Sequence, residues 1–321
     1  MAYYIGIDLG GTNIKTGIMD SDANVIAKAS TPTQADQGVD QVLAKMAQSA
    51  LDIIKQAKLE KNEIVAIGVG SPGPIDFERG RIINAPNLLG WEDTPVCQTI
   101  QEMTGIKTYV ENDANAAALG EFWAGAGKSK VVKNLVMMTL GTGIGSGIII
   151  NGKMLRGAHG MGGEGGHIIV QTNGRTCGCQ QKGCVEAYAS ASSCARIAEE
   201  RIHQFPQSTL QQVLNKNKTL TSKDVFDAAK KDDTFAQIIA RETADYLAAA
   251  CITFARLFDP QMIVFAGGMI LAGDYLFDLI RQSVEKMNWK VGPVLMKIVP
   301  AELGNDAGFI GAAAAAWHES E

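Results

Sequence analysis

Apolar residues alternate with small or polar residues at the start of the chain. Residues 5–9 read Ile, Gly, Ile, Asp and Leu, a pattern that is typical of a strand with one buried face. Gly10-Gly11 favours a turn, and the alternation resumes over residues 14–18. The pattern therefore predicts a hairpin that carries Asp8 beside its glycine-rich bend.

Helical and strand patterns follow one another along the rest of the chain. This mixture is typical of an α/β architecture. Helical spacing predicts helices at residues 38–59, 114–124, 183–204, 221–258 and 308–318. Short apolar runs predict strands at residues 64–69, 108–110 and 262–266.

A second hairpin pattern occurs at residues 135–150. Its strand, Leu-Gly bend and returning strand match residues 4–18, with Thr139 at the position of Asp8. One interpretation is a duplicated domain. The alternative is two unrelated glycine-rich hairpins, because hairpin turns use few residue types.

Composition indicates an ordinary soluble protein. The chain has 321 residues, 46% of them apolar and 20% charged, with a formal net charge of −5, and this length suits two domains. No basic cluster indicates a nucleic-acid partner, and no apolar run is long enough for a membrane span or a secretory signal. We expect a cytoplasmic protein with reduced thiols.

Three glycine-rich turns are candidates for holding phosphate, because backbone N–H groups at a tight bend point towards an anion. Two common phosphate-binding motifs, the P-loop and the dinucleotide fingerprint, do not match the sequence. Position 122 is Phe where a P-loop ending at Lys128 needs Gly, and position 146 is Ser where a dinucleotide fingerprint needs Gly. The candidate turns are Gly10-Gly11-Thr12, Gly141-Thr142-Gly143 and Gly267-Gly268.

Two aspartates have both a chemical and a structural interpretation. Asp8 is placed to hold Mg²⁺ near a phosphate turn, or it only caps the turn. Asp113 lies at a predicted helix start, where the helix dipole favours an ionised carboxylate that accepts a proton. Without further context, a simple N-cap role for Asn112 or Asp113 is the favoured interpretation, because Asn and Asp are common N-caps.

Three cysteines and a histidine have the spacing of a metal site. Three thiolates and one imidazole complete a tetrahedral zinc site, so the metal would be structural. Chance and a redox pair are the alternatives, but C-x-C is not the redox spacing. Glu164 and Glu186 flank this set and would lie close together if zinc folds the loop. The ligands are His167, Cys177, Cys179 and Cys184.

Together these motifs resemble the ROK family of repressors and sugar kinases, and within it the bacterial glucokinases. D-x-G-G-T occurs at residues 8–12, E-N-D-A-N at 111–115, the long glycine signature at 140–167 and the cysteine segment at 177–186. The resemblance extends from residue 5 to about 313. It departs from the family pattern at Gln180, where Gly is usual.

The resemblance implies a duplicated, actin-like (ribonuclease-H-like) fold with a structural zinc loop. We expect a smaller lobe at 1–113 plus 305–321 and a larger lobe at 114–304. Asp113 is implied as the general base. The implied sugar ligands are Asn87, Asn112, Asp113, Glu164, His167 and Glu186. The implied nucleotide side comprises Asp8, Gly10, Gly11, Thr12, Lys15, Thr142, Gly143, Gly267 and Gly268.

The same resemblance implies phosphorylation of a hexose by Mg-ATP, most directly of D-glucose to glucose 6-phosphate. Kinases of N-acetylmannosamine, N-acetylglucosamine or fructose are alternatives, since the same acids and histidine suit several sugars. A sugar-sensing transcriptional regulator is disfavoured, because family repressors carry a helix-turn-helix before D-x-G-G-T and only seven residues precede Asp8 here. We expect a homodimer or a homotetramer.

Overall fold

The computed structural model describes residues 2–85, 88 and 90–320. The strands are β1 (Tyr3–Leu9), β2 (Asn13–Asp20), β3 (Val25–Pro32), β4 (Ile64–Ser71), β5 (Ile75–Asp76), β6 (Arg81–Asn84), β7 (Glu92–Thr94), β8 (Thr108–Asn112), β9 (Leu135–Leu140), β10 (Ile144–Ile150), β11 (Lys153–Met154), β12 (Met262–Ala266) and β13 (Lys297–Pro300). The helices are α1 (Val39–Gln56), α2 (Val96–Thr104), α3 (Asp113–Trp123), α4 (Glu186–Ala189), α5 (Ala191–Arg201), α6 (Leu210–Asn217), α7 (Ser222–Ala229), α8 (Thr234–Phe258), α9 (Asp274–Met287) and α10 (Ala307–Ser320).

Two five-stranded sheets share one strand order. The first is β3-β2-β1-β4-β8 and the second is β11-β10-β9-β12-β13. In the first, β1 pairs antiparallel with β2 and parallel with β4. In the second, β10 pairs antiparallel with β11, and β9 pairs parallel with β12. Because β9 occupies the place of β1, the topology agrees with a duplicated unit and not with two unrelated hairpins.

The chain forms two compact units, and their bounds differ from the lobes expected from sequence. The first comprises residues 1–132, 147–163 and 301–321, and the second comprises residues 133–146 and 164–300. Helix α3 belongs to the first unit because it packs closely on α10. A Cβ on Gly311 would lie 2.1 Å from the Ala116 carbonyl oxygen, so only glycine permits this approach.

The first unit has helices on both faces of its sheet. Side chains of β1, β2 and β4 form one apolar cluster with α1, including Ile5, Ile7 and Met46. On the other face α10 lies directly against the strands: a Cβ on Gly6 would lie 1.8 Å from the Phe309 carbonyl oxygen. Along β1, the large residues Ile5 and Ile7 therefore face the apolar cluster, while Gly6 on the opposite face leaves room for α10.

The second unit packs its helices beside the second sheet. Phe265 of β12 meets Phe277 of α9 in an edge-to-face contact, with ring centroids 6.3 Å apart. Helix α8 packs against both α7 and α9. Among the described residues, no helix combines the length and the apolar character needed to cross a membrane.

Candidate active site

Asp8 lies at the end of β1, against the first turn of α10. A Cβ on Gly308 would lie 2.2 Å from Asp8 Oδ2, so the carboxylate occupies the space beside that helix start. Loss of water around it raises the pKa of Asp8, the nearby charge of Lys15 opposes this, and the charge of Asp113 adds to it. Asp8 and Asp113 are therefore close enough to interact electrostatically.

The turn after β1 is held by backbone contacts. Gly10 N–H donates to the Asn13 carbonyl oxygen at 3.1 Å. Thr33 Oγ1 donates to the Gly10 carbonyl oxygen at 2.6 Å, and Thr33 N–H donates to that of Thr12 at 2.9 Å. Gly11 and Thr12 remain exposed. The turn is thus fixed in shape while its central residues stay accessible to an anion.

Lys15 follows the turn, on β2. It stands opposite Asp8 in the register of the hairpin. Its Nζ donates to the Asn305 carbonyl oxygen at 3.0 Å, which leaves N–H donors for another partner because an ammonium group carries three.

The sequence left open whether Asn112 or Asp113 caps helix α3, and the structure assigns the cap to Asn112. Asn112 is the N-cap of α3, since its Oδ1 accepts from Ala114 N–H at 3.0 Å and from Asn115 N–H at 3.3 Å. Asp113 follows in the first turn and accepts from Ala114 N–H at 2.8 Å. The helix is therefore capped without using the second carboxylate oxygen of Asp113.

The environment of Asp113 suits a proton acceptor. Its side chain is accessible to solvent, yet the surrounding protein displaces enough water to raise its pKa, against the hydrogen bonds from Ala114 and Asn112. A raised pKa makes a carboxylate a stronger base, and the start of α3 still favours its ionised form.

In the second unit, Glu186 lies against the turn that corresponds to residues 10–12. Its Oε2 accepts from Ile144 N–H at 2.8 Å. A Cβ on Gly143 would lie 2.4 Å from that oxygen, so any larger residue there would require the carboxylate to move. Thr142 is exposed, and Thr139, the counterpart of Asp8, accepts from Gly145 N–H at 3.1 Å. The counterpart of Asp8 in the second unit is thus an uncharged side chain that holds the neighbouring strand residue.

Gly267 and Gly268 follow β12 beside the same turn. Gly267 has φ of 88° and lies against the end of β9, because a Cβ would lie 2.5 Å from the Leu140 carbonyl oxygen. Gly268 has no atom within 4 Å of where a Cβ would stand. The second unit therefore brings two of the three candidate phosphate turns together.

Glu164 and His167 flank a short 3₁₀ turn, Gly165–His167. His167 N–H donates to the Glu164 carbonyl oxygen at 3.0 Å. Gly165 N–H donates to Ser146 Oγ at 2.6 Å, so the turn is attached to β10. Glu164 stays exposed and His167 is half-buried.

The four predicted metal ligands form one cluster. Their ligand atoms all lie within 4.8 Å of one another. Cys177 Sγ is 3.7 Å from His167 Nδ1, and Cys179 Sγ is 3.7 Å from Cys184 Sγ. Zinc–sulfur bonds of about 2.3 Å at tetrahedral angles require sulfurs about 3.8 Å apart. The donor set and its spacing therefore fit zinc.

The loop that carries these ligands is closed by local contacts. Gln181 Nε2 donates to the His167 carbonyl oxygen at 2.8 Å and lies 3.3 Å from Cys184 Sγ. Glu186 Oε1 lies 3.0 Å from Cys177 Sγ, which links the cluster to the acid at the glycine turn. Gln180 has φ of 70°, so the turn keeps a left-handed residue where the family pattern has Gly.

The predicted site residues thus fall into two sets, one in each unit. The first unit holds Asp8, the 10–12 turn, Lys15, Asn112 and Asp113, and the second holds the remaining described residues. Asn87 lies outside the described residues. Sequence reasoning missed Glu111, although it precedes Asn112 in the motif; it is fully buried, and its Oε1 accepts from Asn112 N–H at 2.9 Å.

Comparisons with known proteins agree with these features. The ROK family model matches residues 4–319. The chain is 38% identical to a glucokinase of Halalkalibacterium halodurans over 310 residues, which is 96% of this chain and 93% of that protein. Repressors among its relatives are less similar, at 27% identity.

Solved structures give the same assignment. A ROK hexokinase from Thermus thermophilus has a TM-score of 0.83 and 32% identity, covering 99% of this chain and 98% of its own. A ROK family glucokinase from Streptomyces griseus, in complex with glucose and AMPPNP, has a TM-score of 0.75 and 31% identity, covering 97% and 98%. The chain belongs to the ROK family.

Proposed function

We propose that this protein is an ATP-dependent hexose kinase that converts D-glucose to glucose 6-phosphate. The observation that carries the proposal is Asp113, a carboxylate of raised pKa at the start of α3 with one oxygen free of the helix cap. The similarity to glucokinases over almost the whole chain supports the same activity.

Asp113 would act as the general base. It accepts the proton of the sugar's primary hydroxyl as that oxygen attacks the γ-phosphorus of ATP, and ADP leaves. Phosphoryl transfer requires little covalent participation from the protein, so most of the rate enhancement would come from positioning and charge neutralisation.

Asn112 would hold the sugar beside the base. Its Oδ1 is occupied by the helix cap, and its Nδ2 donates to the Gly73 carbonyl oxygen at 3.2 Å. The same amide also donates to the Asp113 carboxylate, so a sugar hydroxyl would have to replace one of these two partners of Nδ2. Asn87, Glu164, His167 and Glu186 are the other proposed sugar ligands.

The nucleotide would bind through glycine turns and nearby charges. Asp8 would interact with Mg²⁺, usually through water, and Lys15 with phosphate oxygens. Backbone N–H groups at the turns suit phosphate because they are donors without side chains in the way. The proposed residues are Asp8, Gly10, Gly11, Thr12, Lys15, Thr142, Gly143, Gly267 and Gly268.

We also propose that His167, Cys177, Cys179 and Cys184 bind a structural zinc ion. With four protein ligands, the metal crosslinks the loop and leaves no open position for chemistry. His167 Nδ1 is the nitrogen nearest Cys177 Sγ, so Nε2 on the other side of the ring is free to meet a sugar hydroxyl. Metal analysis of the purified protein should find one zinc per chain, and Cys179→Ser should lower that content.

A coupled assay of ADP release tests the proposed reaction. The sugars are glucose, mannose, fructose, N-acetylglucosamine and N-acetylmannosamine, each with Mg-ATP. We expect the highest kcat/KM for glucose. Selectivity for an N-acetyl sugar would overturn the choice of substrate while leaving the mechanism in place. No phosphorylation of any of the five sugars would overturn the kinase proposal.

We further propose that the protein is cytoplasmic and forms a homodimer or homotetramer, with no nucleic-acid or membrane partner. Its acidic net charge of −5 supports the absence of a nucleic-acid surface. Light scattering after size-exclusion chromatography should give a mass of two or four chains, and a monomer would contradict the proposal.

A further inference from the structure

A buried ion pair lies directly behind the Asn112–Asp113 segment. Glu111, the last residue but one of β8, is 0% exposed. Arg156, in the loop after β11, donates to Glu111 Oε2 through Nε at 3.0 Å and through an Nη at 2.6 Å. Both residues belong to the first unit.

The other oxygen of Glu111 holds the segment from two sides. Oε1 accepts from Asn112 N–H at 2.9 Å and from Asn115 Nδ2 at 2.9 Å. Asp113 lies between these two residues in sequence. A shift of the Glu111 carboxylate would therefore displace the backbone on which Asp113 stands.

Arg156 is itself fixed by two further elements. The same Nη lies 2.7 Å from Glu319 Oε1 near the end of α10, and the guanidinium stacks 4.5 Å from the centre of the Phe77 ring. Burial tends to lower the pKa of Arg156, but the charges of Glu111 and Glu319 raise it overall. The guanidinium therefore stays charged and has little freedom to move.

Stability alone is a weak reason for such an arrangement. A buried ion pair often contributes no more than apolar side chains of similar volume, because both charges lose water. What an apolar pair cannot supply is a two-oxygen acceptor with a fixed position. Glu111 provides that acceptor to Asn112 and Asn115, and Arg156 determines where it lies.

We propose that Arg156 is a positioning residue for phosphoryl transfer, acting through Glu111 on Asn112 and Asp113. The inference rests on the proposed function, in which Asp113 is the base. In this role Arg156 contributes to the rate by holding the base in its productive geometry. Misplacement of a reacting group by about 1 Å can cost about 10²-fold in rate.

The main test compares Arg156→Met with Glu319→Gln. The first removes the partner of Glu111, and the second removes the other carboxylate partner of Arg156 without touching Glu111. We expect kcat with glucose to fall about 10²-fold in Arg156→Met, with little change in KM for ATP. In Glu319→Gln it should stay within about twofold of wild type, because Arg156 keeps both bonds to Glu111 and the amide oxygen of Gln still accepts from it.

A double variant separates positioning from folding. In Glu111→Gln/Arg156→Met the unpaired buried charge is gone, while the amide oxygen still accepts from Asn112 N–H. We expect it to recover at least about tenfold in kcat over Arg156→Met. Arg156→Lys keeps the charge but not the planar fork, and we expect an intermediate rate.

The pH profile supplies a readout that a purely structural role would not move. Hydrogen bonds from Ala114 and Asn112 lower the pKa of Asp113, so loosening them in Arg156→Met should move the acid limb of kcat/KM to higher pH. Asp8 is the other carboxylate that senses Asp113; it is the same in wild type and in Arg156→Met, so it does not account for a difference between them.

Each outcome supports or overturns the inference. A folded Arg156→Met enzyme with the kcat and acid limb of wild type would overturn it, as would a rate loss that only follows the unfolded fraction seen by circular dichroism. If Arg156→Met does not fold, the double variant and Arg156→Lys provide the test. A wild-type kcat and pH profile in Arg156→Lys would overturn the inference, as would equal kcat values for the double variant and Glu111→Ala. An inactive wild type would instead refute the proposed function.

Discussion

Replacing Asp113 by Asn tests the proposed base with a minimal change in shape. The amide oxygen of Asn can still accept from Ala114 N–H, the bond that Asp113 makes at 2.8 Å. Asn112 remains the N-cap, so helix α3 keeps its start. The surrounding protein raises the pKa of Asp113, which means that its charged form is disfavoured by folding. Above that pKa the variant should therefore be at least as stable as wild type.

The expected loss of rate follows from the role of a general base. Such a group contributes about 10²–10⁴-fold, or about 2.7–5.4 kcal/mol of barrier. We expect kcat for glucose to fall by that factor in Asp113→Asn, while the affinity for glucose stays within a few-fold because Asn112 and the other proposed sugar ligands are unchanged. Wild-type kcat/KM should fall as the pH drops through the raised pKa of Asp113, and the residual activity of the variant should lack this limb.

The assay is coupled ADP release with saturating Mg-ATP, together with calorimetric titration of glucose. Asp52→Asn is a matched control, because Asp52 is an exposed carboxylate on α1 whose side-chain partners among the described residues are Gln48 and Lys55. A kcat for Asp113→Asn within tenfold of wild type, in protein that binds glucose and melts normally, would refute the assignment of the base.

Three further predictions concern the metal loop and the C-terminal helix. Removing zinc with a chelator should raise KM for glucose at least tenfold before circular dichroism shows unfolding, because His167 is the proposed ligand of both metal and sugar. Folded zinc-free protein with an unchanged KM would contradict that proposal. Gln180→Gly should stabilise the protein by about 0.5–1 kcal/mol in urea titrations. Relief of the left-handed strain at a non-glycine residue (about 1–2 kcal/mol) exceeds the entropy cost of introducing glycine. Gln180→Ala keeps the strain and should show no gain in stability. The side chains of His318 and Arg156 hold the pKa of Glu319 at about 2, although partial burial opposes this. Wild type should therefore be more stable than Glu319→Gln by about 1–2 kcal/mol at neutral pH, a value already reduced for solvent exposure. This difference should hold above the ordinary pKa of 4.5 and disappear as the pH falls towards 2; a difference that does not change with pH would contradict the assignment.

Local patterns predicted the elements that bury one regular face. The alternation at residues 5–9 and 14–18 became β1 and β2, and the run at residues 38–59 became α1. The clustering of the four proposed metal ligands was predictable for a similar reason, because they lie within 18 residues of each other and their chemistry is specific.

Sequence patterns did not predict β3 or α6, and both lack a regular buried face; they also did not predict α9, although it buries one face. Strand β3 is largely exposed, with Val25 and Ile26 each more than 40% accessible, so its pattern does not distinguish it from a loop. Helix α6 buries only Leu210, and nothing in its sequence marks it strongly. Such elements are formed through their neighbours, β3 through pairing with β2.

The sequence by itself determined the family motifs and the candidate metal ligands, because each depends on residues close together in the chain, whereas the strand order was needed to relate the two hairpins. Only the tertiary structure decided that Asn112 caps α3 and frees Asp113, that α3 belongs with α10, and that Arg156 reaches across 45 residues to Glu111. These outcomes depend on which side chains meet after the sheet and helices have packed, and the periodicity of a single segment carries no information about partners so far away.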